Sequence, residues 1–305
     1  MRVRIGSRGS RLALAQARKI GARLAAAGHQ PVETIIETRG DRDQTSAFPE
    51  FGGAGVFVRE IEHQLITGAI DLAVHSYKDL PSEGPDELFV AAVPERLDPA
   101  DVLLIRENAG EPGAGLVPLP RAARVGTATS RRQALLHAVR ADLRILPLRG
   151  NVDTRVRKLR DGDYDAIVLD RAGLQRLQDA GGTLDMGGVQ LHRLEPDWFI
   201  PAPTQGALAL QIRRDATELA AVLAPLHDES AALPLTGERR LLELVQGSCE
   251  LPFGAWCRAT GEGYRLHFAL GDHDQLVTGQ VWGGSPAAVA ELAWQELASS
   301  ELTIR

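Results

Sequence analysis

Strand-like and helix-like segments alternate along the first two thirds of this chain, and that alternation limits the fold more than any other feature. The segments "RVRIG" (2–6), "VETIIET" (32–38) and "AIDLAVHS" (69–76) read as strands. Between them apolar residues recur at helical spacing, as in "VFVREIEHQLITG". The third strand is continuously apolar, which is typical of a strand buried in a parallel sheet. This order predicts a parallel sheet with crossover helices.

The alternation restarts at "DVLLIR" (101–106), and strand–loop–helix units follow it as far as "YDAIVLDRAGLQRL" (164–177). Two proline-containing connectors flank this second unit, at 95–101 and 194–203. The segment "GALALQI" after the second connector would complete the first sheet. We therefore predict that the chain leaves a first domain, builds a second and returns. Two adjacent connectors form a hinge, with a cleft between the lobes.

The last third of the chain has a different pattern. A helix, "TGERRLLELVQG", precedes three short alternating strands, and Ser285-Pro286 starts a final helix. This order predicts a small α+β domain with a three-stranded antiparallel sheet, whose first loop carries Cys249. The predicted domains are residues 1–98 with 199–222, residues 99–198, and residues 223–305.

Composition excludes several classes of function. The net charge of the 305 residues is −6, which argues against a nucleic-acid or anionic-membrane partner. We expect a cytoplasmic protein, because neither a secretory signal nor an apolar run long enough to span a membrane is apparent. The two cysteines cannot form a disulfide framework. The eight histidines lack the spacing of metal ligands, so we expect no metal site.

Cationic and hydroxyl residues follow successive predicted strands, where ligands bind in open α/β sheets. They are Arg8 and Ser10, then Thr127, Thr129, Arg131 and Arg132, then Arg149 and Arg155, and finally Arg171 and Arg176. A single arginine is weak evidence in this arginine-rich chain. Their recurrence at strand ends, however, predicts a cleft that binds several carboxylates or phosphates. Because nucleotide-binding glycine motifs are missing, we favour a polycarboxylate.

Three further segments leave two interpretations open. "VHSYKDLP" places Lys78 and Asp79 either in an ordinary polar turn, which the sequence slightly favours, or in the cleft as an acid beside a cation. "EFGGAGVF" (50–57) is a phosphate cradle or, more in keeping with its residues, a mobile flap. Cys249 is either a small buried side chain or an accessible thiol in a glycine-flanked loop.

Several motifs occur together in the order found in one enzyme family. They are "VHSYKDLP", "VGTATSRRQ", "LRGNVDTR", "AGLQRL", "PAPTQGALAL" and "GSCELPFGA". Over nearly its whole length the chain resembles the porphobilinogen deaminase (hydroxymethylbilane synthase) family. The resemblance implies an α/β fold of three domains, with domains 1 and 2 like type II periplasmic binding proteins joined by a hinge of two crossover segments. It also implies a monomeric transferase of tetrapyrrole biosynthesis, which condenses four porphobilinogen molecules, with loss of ammonia, onto a covalent dipyrromethane cofactor. Hydrolysis then releases hydroxymethylbilane.

The resemblance also implies roles for individual residues. Cys249 matches the residue that carries dipyrromethane through a thioether, and Asp79 matches the catalytic aspartate. The residues that match the family's carboxylate-binding positions are Arg8, Ser10, Ser76, Lys78, Thr127, Thr129, Arg131, Arg132, Arg149, Arg155 and Arg176. The flap is represented by Gly53, Gly55 and Phe57. Arg171 is not in this set.

The chain departs from the family pattern at a few positions. Ala54 and Ala128 replace a usual lysine and serine, and Thr204 replaces a usual glycine. Asp170 and Arg171 stand where small apolar residues are common. Because Cys249 and Asp79 are retained, we expect an active enzyme. The alternative is a cytosolic polycarboxylate-binding protein of the same fold without catalysis.

Overall fold

The computed structural model describes residues 1–37, 55–182, 184–246, 251–271 and 275–300, without the side chains of residues 55–57. The strands within these ranges are β1 Arg2–Ser7, β2 Gln30–Ile35, β3 Leu72–Ser76, β4 Leu88–Ala92, β5 Asp101–Arg106, β6 Arg124–Thr127, β7 Arg144–Pro147, β8 Ala166–Asp170, β9 Val189–Leu194, β10 Leu208–Arg213, β11 Phe253–Thr260, β12 Gly263–Gly271 and β13 Leu276–Gly283. The α-helices are α1 Arg11–Ala26, α2 Gly55–Ile66, α3 Ser130–Val139, α4 Val152–Arg160, α5 Arg171–Asp179, α6 Thr217–Leu223, α7 Glu229–Leu244 and α8 Pro286–Ala298.

The first sheet has five strands in the order β2-β1-β3-β10-β4. Strand β1 is parallel to β2 and β3, as the alternating pattern predicts. Strand β10 follows the second connector and inserts antiparallel between β3 and β4. The chain therefore returns to its first sheet. The predicted parallel arrangement holds for β1, β2 and β3, whereas the return strand is antiparallel because it enters from the opposite end of the sheet.

The second sheet also has five strands, in the order β7-β6-β8-β5-β9. Strand β6 is parallel to β7 and β8, whereas β5 is antiparallel to both β8 and β9. The third sheet is the antiparallel set β11-β12-β13. The predicted fold class, α/β with a small antiparallel α+β unit at the end, is confirmed.

Apolar clusters line the sheets, one cluster of the second sheet also includes Ala269 of β12, and the buried strands explain the sequence pattern. Leu72, Ala73 and Val74 of β3 are all less than 5% exposed, because neighbouring strands and helices cover both faces. Burying one such leucine stabilises the fold by about 2 kcal/mol. A separate cluster, which includes Leu241 and Phe268, joins α7 and α8 to the third sheet. No helix in the described part of the chain is long and apolar enough to cross a membrane.

The first connector is hydrogen-bonded to the short segment that links the second connector to β10. Leu97 N donates to Gly206 O over 3.0 Å, and Arg96 forms an antiparallel bridge with Ala207. Gly206 has a positive φ of 91°, and a Cβ added there would lie 2.4 Å from Leu97 O. Only glycine fits between two strands this close together. The first connector thus lies directly against the chain that re-enters the first sheet.

Candidate active-site cleft between the two five-stranded sheets

Asp79 ends a tight turn that follows the buried strand β3. Residues Tyr77–Asp79 form a single 3-10 turn, anchored by Tyr77 N donating to Ala207 O over 3.0 Å. Leu80 is buried behind the turn, while the side chain of Asp79 is exposed at its tip. The turn therefore presents a carboxylate at the carboxyl end of the sheet. We use "the cleft" for the region between this turn and the carboxyl end of β8.

The surroundings of Asp79 favour its protonated form. Crowding by protein atoms removes part of its water, and this loss is the main cause that raises the pKa of Asp79. The positive charges of Lys78 and Arg8 oppose the rise, and the negative charge of Asp170 adds to it. Because the side chain remains open to the cleft, the carboxyl group can still exchange a proton with a bound molecule.

Lys78 reaches across the cleft from the first sheet to the second. Its Nζ lies 3.0 Å from Oδ2 of Asp170 and 3.3 Å from Oε1 of Gln205. Asp170 is the last residue of β8 and the N-cap of α5, where its Oδ1 accepts from Gly173 N over 2.6 Å. The ion pair thus joins the ends of two strands that belong to different sheets.

Arg131 and Arg132, at the start of α3, bind a carboxylate of the protein itself. Asp101 is fully buried, and its oxygens lie 2.8 Å from Arg131 Nη2 and 2.7 Å from Arg132 Nη2. Arg132 Nε donates over 3.2 Å and Gln205 Nε2 over 3.0 Å, which makes four bonds to this carboxylate. Burial opposes the charged form, but the two guanidinium groups hold the pKa of Asp101 below its usual range. These arginines are therefore partly neutralised beside the hinge.

Arg155 and Arg176 are cations held in poorly solvated positions. Arg155 Nε donates to Gly150 O over 2.7 Å, and burial, with the nearby charge of Arg132, lowers its pKa to about 10. Arg176 Nη2 donates to Gly206 O over 2.6 Å, and burial lowers its pKa too. Arg176 Nε has no hydrogen-bond partner among the described residues. Cations in such surroundings are stabilised by added anions.

The hydroxyl groups that the sequence singles out have differing environments. Ser10 caps α1 by accepting from Ala13 N, and Thr129 caps α3 by accepting from Arg132 N, both over 3.3 Å. Ser76 Oγ accepts from Gln16 Nε2 over 3.0 Å. Thr127 Oγ1 is buried with no partner among the described residues. Arg8 and Arg149 are half-buried at the ends of β1 and β7.

The remaining predicted residues are only partly described. Gly53 and Cys249 lie outside the described residues, and of Gly55 and Phe57 only the backbone is described, in the first turn of α2. The other cysteine, Cys257, is 1% exposed in the third sheet, as predicted for a core residue. Burial, with the negative charge of Glu238, raises the pKa of the Cys257 thiol to about 12. Cys257 is therefore unsuited to nucleophilic attack.

Sequence reasoning missed Asp101 and gave Asp170 no role in the cleft. The predicted site residues all follow strands, whereas Asp101 is the first residue of β5. Because β5 runs antiparallel to β8, Asp101 pairs in register with Asp170, so both lie at the same edge of the sheet. Only the strand direction, which no sequence signal gave, would have identified Asp101. Asp170 was visible as an acidic residue in an arginine-rich motif.

The family model and the curated relatives agree on one family. A family model described as "Porphobilinogen deaminase, dipyromethane cofactor binding domain" matches residues 3–221. The porphobilinogen deaminase of Roseiflexus sp. (strain RS-1) is 42% identical over 285 residues, covering 92% of this chain and 90% of that protein. The one from Streptococcus sanguinis (strain SK36) is 38% identical over 299 residues, covering 97% and 95%. Among solved structures, a double mutant of the Bordetella pertussis BvgS VFT2 domain is 15% identical with a TM-score of 0.45, covering 78% of this chain and 91% of that one.

Proposed function

This chain belongs to the porphobilinogen deaminase family, and on that premise we propose how its own residues perform the reaction. The enzyme is a hydroxymethylbilane synthase, a transferase that condenses four porphobilinogen molecules, with loss of ammonia, onto a dipyrromethane primer. It then releases the linear tetrapyrrole by hydrolysis. The observation that carries the assignment of the site is the placement of one exposed carboxylate, Asp79, beside the cations Arg8 and Lys78 of the first sheet, with Lys78 bonded to Asp170 of the second.

Asp79 is the catalytic residue in this proposal. Porphobilinogen loses its aminomethyl nitrogen as ammonia, which requires a proton on that nitrogen and leaves a positive charge on the pyrrole. Because its pKa is raised, Asp79 holds a proton at higher pH than an ordinary aspartate and can pass it to the leaving group. Once the proton has moved, the carboxylate stabilises the cationic ring. Asp79 thus serves first as the proton donor and then as the counter-charge. Giving up its proton makes it negative just as the pyrrole ring becomes positive.

The residues of the cleft fit a dipyrromethane cofactor. When bound, this group supplies the primer to which new pyrrole rings are joined. Its acetate and propionate groups need hydrogen-bond donors. Arg176 Nε and Thr127 Oγ1 are buried donors with no partner in the described part of the protein. The side chains proposed to hold the carboxylates of the cofactor and substrate are Arg8, Ser10, Ser76, Lys78, Thr127, Thr129, Arg131, Arg132, Arg149, Arg155 and Arg176.

Cys249 is the proposed attachment point. The chain has two cysteines, and the buried, protonated thiol of Cys257 leaves Cys249 as the candidate. Strand β11 begins shortly after Cys249 and lies against the second connector, where Ala255 N donates to Pro201 O over 3.0 Å. Arg131 Nη1 donates to Ile200 O of the same connector over 2.7 Å. This proximity to the cationic cleft supports the assignment, and Gly53, Gly55 and Phe57 are proposed as the flap.

The domain division follows from sheet membership. We propose residues 1–98 with 199–222 as domain 1, residues 99–198 as domain 2 and residues 223–305 as domain 3. The return of β10 to the first sheet and the cluster around Leu241 and Phe268 support these boundaries, whereas Phe199 and Ile200 pack with the second sheet. We further propose a cytoplasmic monomer that takes porphobilinogen and binds neither nucleic acid nor membranes, in keeping with its net charge of −6.

The test is turnover of porphobilinogen by the purified protein and by Asp79→Asn. We expect the parent enzyme to release ammonia as porphobilinogen is consumed, and the variant to lose nearly all turnover, at least on the order of a hundredfold. Asp86→Asn, which changes an exposed carboxylate nearby in the chain, is the matched control and should keep full activity. A parent protein that binds porphobilinogen without releasing ammonia would support the non-catalytic alternative. Normal turnover in Asp79→Asn would refute the role of Asp79.

A further inference from the structure

Asp170 is fixed in the cleft by both of its carboxylate oxygens. Oδ1 accepts from Gly173 N over 2.6 Å and so caps α5, while Oδ2 accepts from Lys78 Nζ over 3.0 Å. Only about a quarter of each side chain in the ion pair is exposed, 21% for Lys78 and 24% for Asp170. A carboxylate held at two points loses little additional freedom when it binds a cation. The geometry therefore makes Asp170 a rigid partner for Lys78.

Asp170 also lies among the cations that are proposed to bind ligand carboxylates. Burial works against its charged form, but Lys78, Arg132 and the hydrogen bond from Gly173 N hold the pKa of Asp170 well below its usual range. Its negative charge in turn acts on Arg131, Arg155 and Arg176. The protein thus supplies one carboxylate of its own to a region that otherwise collects positive charge. A ligand carboxylate that binds Lys78 must compete with this internal one.

The direction in which Lys78 points affects Asp79, its neighbour in sequence. The ammonium group is directed toward Asp170 on the far side of the cleft and toward Gln205 in the segment before β10. The charged groups that act on Asp79 are Lys78, Arg8 and Asp170, and among them Asp170 favours the protonated form. Removing the negative charge of Asp170 would release Lys78 from its ion pair. It would also remove the repulsion between the carboxylates of Asp170 and Asp79. Both changes would stabilise the Asp79 carboxylate.

We propose that Asp170 is a positioning residue that holds Lys78 across the cleft, keeping its ammonium away from the carboxyl group of Asp79 and weakening its hold on ligand carboxylates. This inference rests on the proposed function, because it assigns the electrostatic setting of the same site. Asp170 touches neither the reacting atoms nor the leaving group in this account. It acts through the position and charge of Lys78.

The test uses Asp170→Asn in the full-length holoenzyme. Asparagine has the same shape and is an equally good N-cap, so α5 keeps its first hydrogen bond while the negative charge is lost. We expect the limb of the pH–rate profile that Asp79 governs to move to lower pH. We also expect tighter binding of propane-1,2,3-tricarboxylate, a simple polycarboxylate probe, by roughly fivefold at low salt. The gain should shrink as salt is added.

Asp228→Asn is the matched control. Asp228 caps α7 through Ala231 N over 3.1 Å, in the same manner as Asp170 caps α5. The side-chain carboxylate of Asp228 accepts hydrogen bonds from residues of its own helix, including Ser230 Oγ at 2.7 Å, and not from groups of the cleft. Substitution there should leave both the pH–rate profile and the affinity for the tricarboxylate unchanged.

The outcomes separate this inference from the proposed function. An inactive parent protein would contradict the proposed function. Calorimetry does not need turnover, so the tricarboxylate affinities of the parent and of Asp170→Asn would still show the effect of the Asp170 charge on binding. An active parent whose pH–rate profile and tricarboxylate affinity are unaltered in Asp170→Asn overturns the inference. A third outcome is that Asp170→Asn and Asp228→Asn shift the pH–rate profile and the tricarboxylate affinity equally. The effect would then not be particular to Asp170, and the inference is again overturned.

Discussion

Arg96 Nη1 lies 2.7 Å from Oε1 of the fully buried Glu238, and this pair joins the first connector to the third sheet's supporting helix, α7. The same carboxylate accepts from Thr204 N, directly after the second connector, over 2.6 Å and from Cys257 N of β11 over 2.7 Å. Glu238 therefore binds the first connector, the chain that follows the second connector, and the third sheet. The segment that carries Cys249 connects α7 to β11, so this junction sets where both of its ends lie.

Substitution of Glu238 by glutamine should strongly destabilise the protein. The amide keeps the shape but leaves the guanidinium of Arg96 without a counter-charge in a buried position, which costs about 3 kcal/mol of unfolding free energy. Urea unfolding measures the loss. Glu291→Gln breaks the exposed ion pair with Arg240 and should cost less than about 1 kcal/mol. Equal losses in the two variants would contradict the role given to Glu238.

Thr204 occupies a backbone conformation that favours glycine. Its φ is +60°, a left-handed conformation that is strained for a β-branched residue. We expect Thr204→Gly to be more stable than Thr204→Ala by about 1 kcal/mol, since both variants lose the side-chain contacts but only glycine relieves the backbone. Thermal unfolding of the pair checks this. The same stability order as in a helix, with alanine above glycine, would show that the backbone is not strained.

Gly254 is packed against the backbone of the second connector. A Cβ at this position would lie 2.8 Å from Ile200 O and 3.1 Å from Pro201 O, and neither atom can move without shifting the connector. Gly254→Ala should therefore cost about 1–3 kcal/mol of unfolding free energy. Gly261→Ala, in a turn where a Cβ meets nothing within 4 Å, is the control and should be nearly neutral. If Gly254→Ala also proves neutral, the third sheet does not pack on the connector as described.

His75 should make stability depend on pH. It is 5% exposed with Gln211 Oε1 at 3.1 Å from its Nε2, and burial lowers its pKa from 6.5 to about 4. Because the folded pKa is depressed, the unfolded chain binds the proton more tightly. Stability is full above pH 6.5 and is lost as pH falls toward 4, by about 3 kcal/mol. Urea unfolding at a series of pH values measures this slope, which His75→Gln should reduce. An unchanged slope in that variant would assign the effect to other groups.

Patterns along the chain predicted the strands of the first two sheets because buried strands need continuous apolar residues, as Leu72 and Val74 show. They also predicted that the chain returns to its first sheet. Pairings between distant residues could not be predicted. Arg96 and Glu238 are 142 positions apart, and no local pattern identifies either as the partner of the other. Strand-like segments were indicated on either side of both connectors, but not that β4 and β9 lie at the edges of their sheets. That placement depends on pairing with distant strands, which local patterns do not give.

The central claim is that Cys249 carries a covalent two-pyrrole primer beside Asp79, and the intact mass of the purified protein tests it most directly. We predict a mass above that of the bare chain by one dipyrromethane unit in the parent protein. The same excess should be present in Cys257→Ala, whose thiol is buried, and missing in Cys249→Ser. A parent protein with the mass of the bare chain, or an excess that survives in Cys249→Ser, would contradict the account.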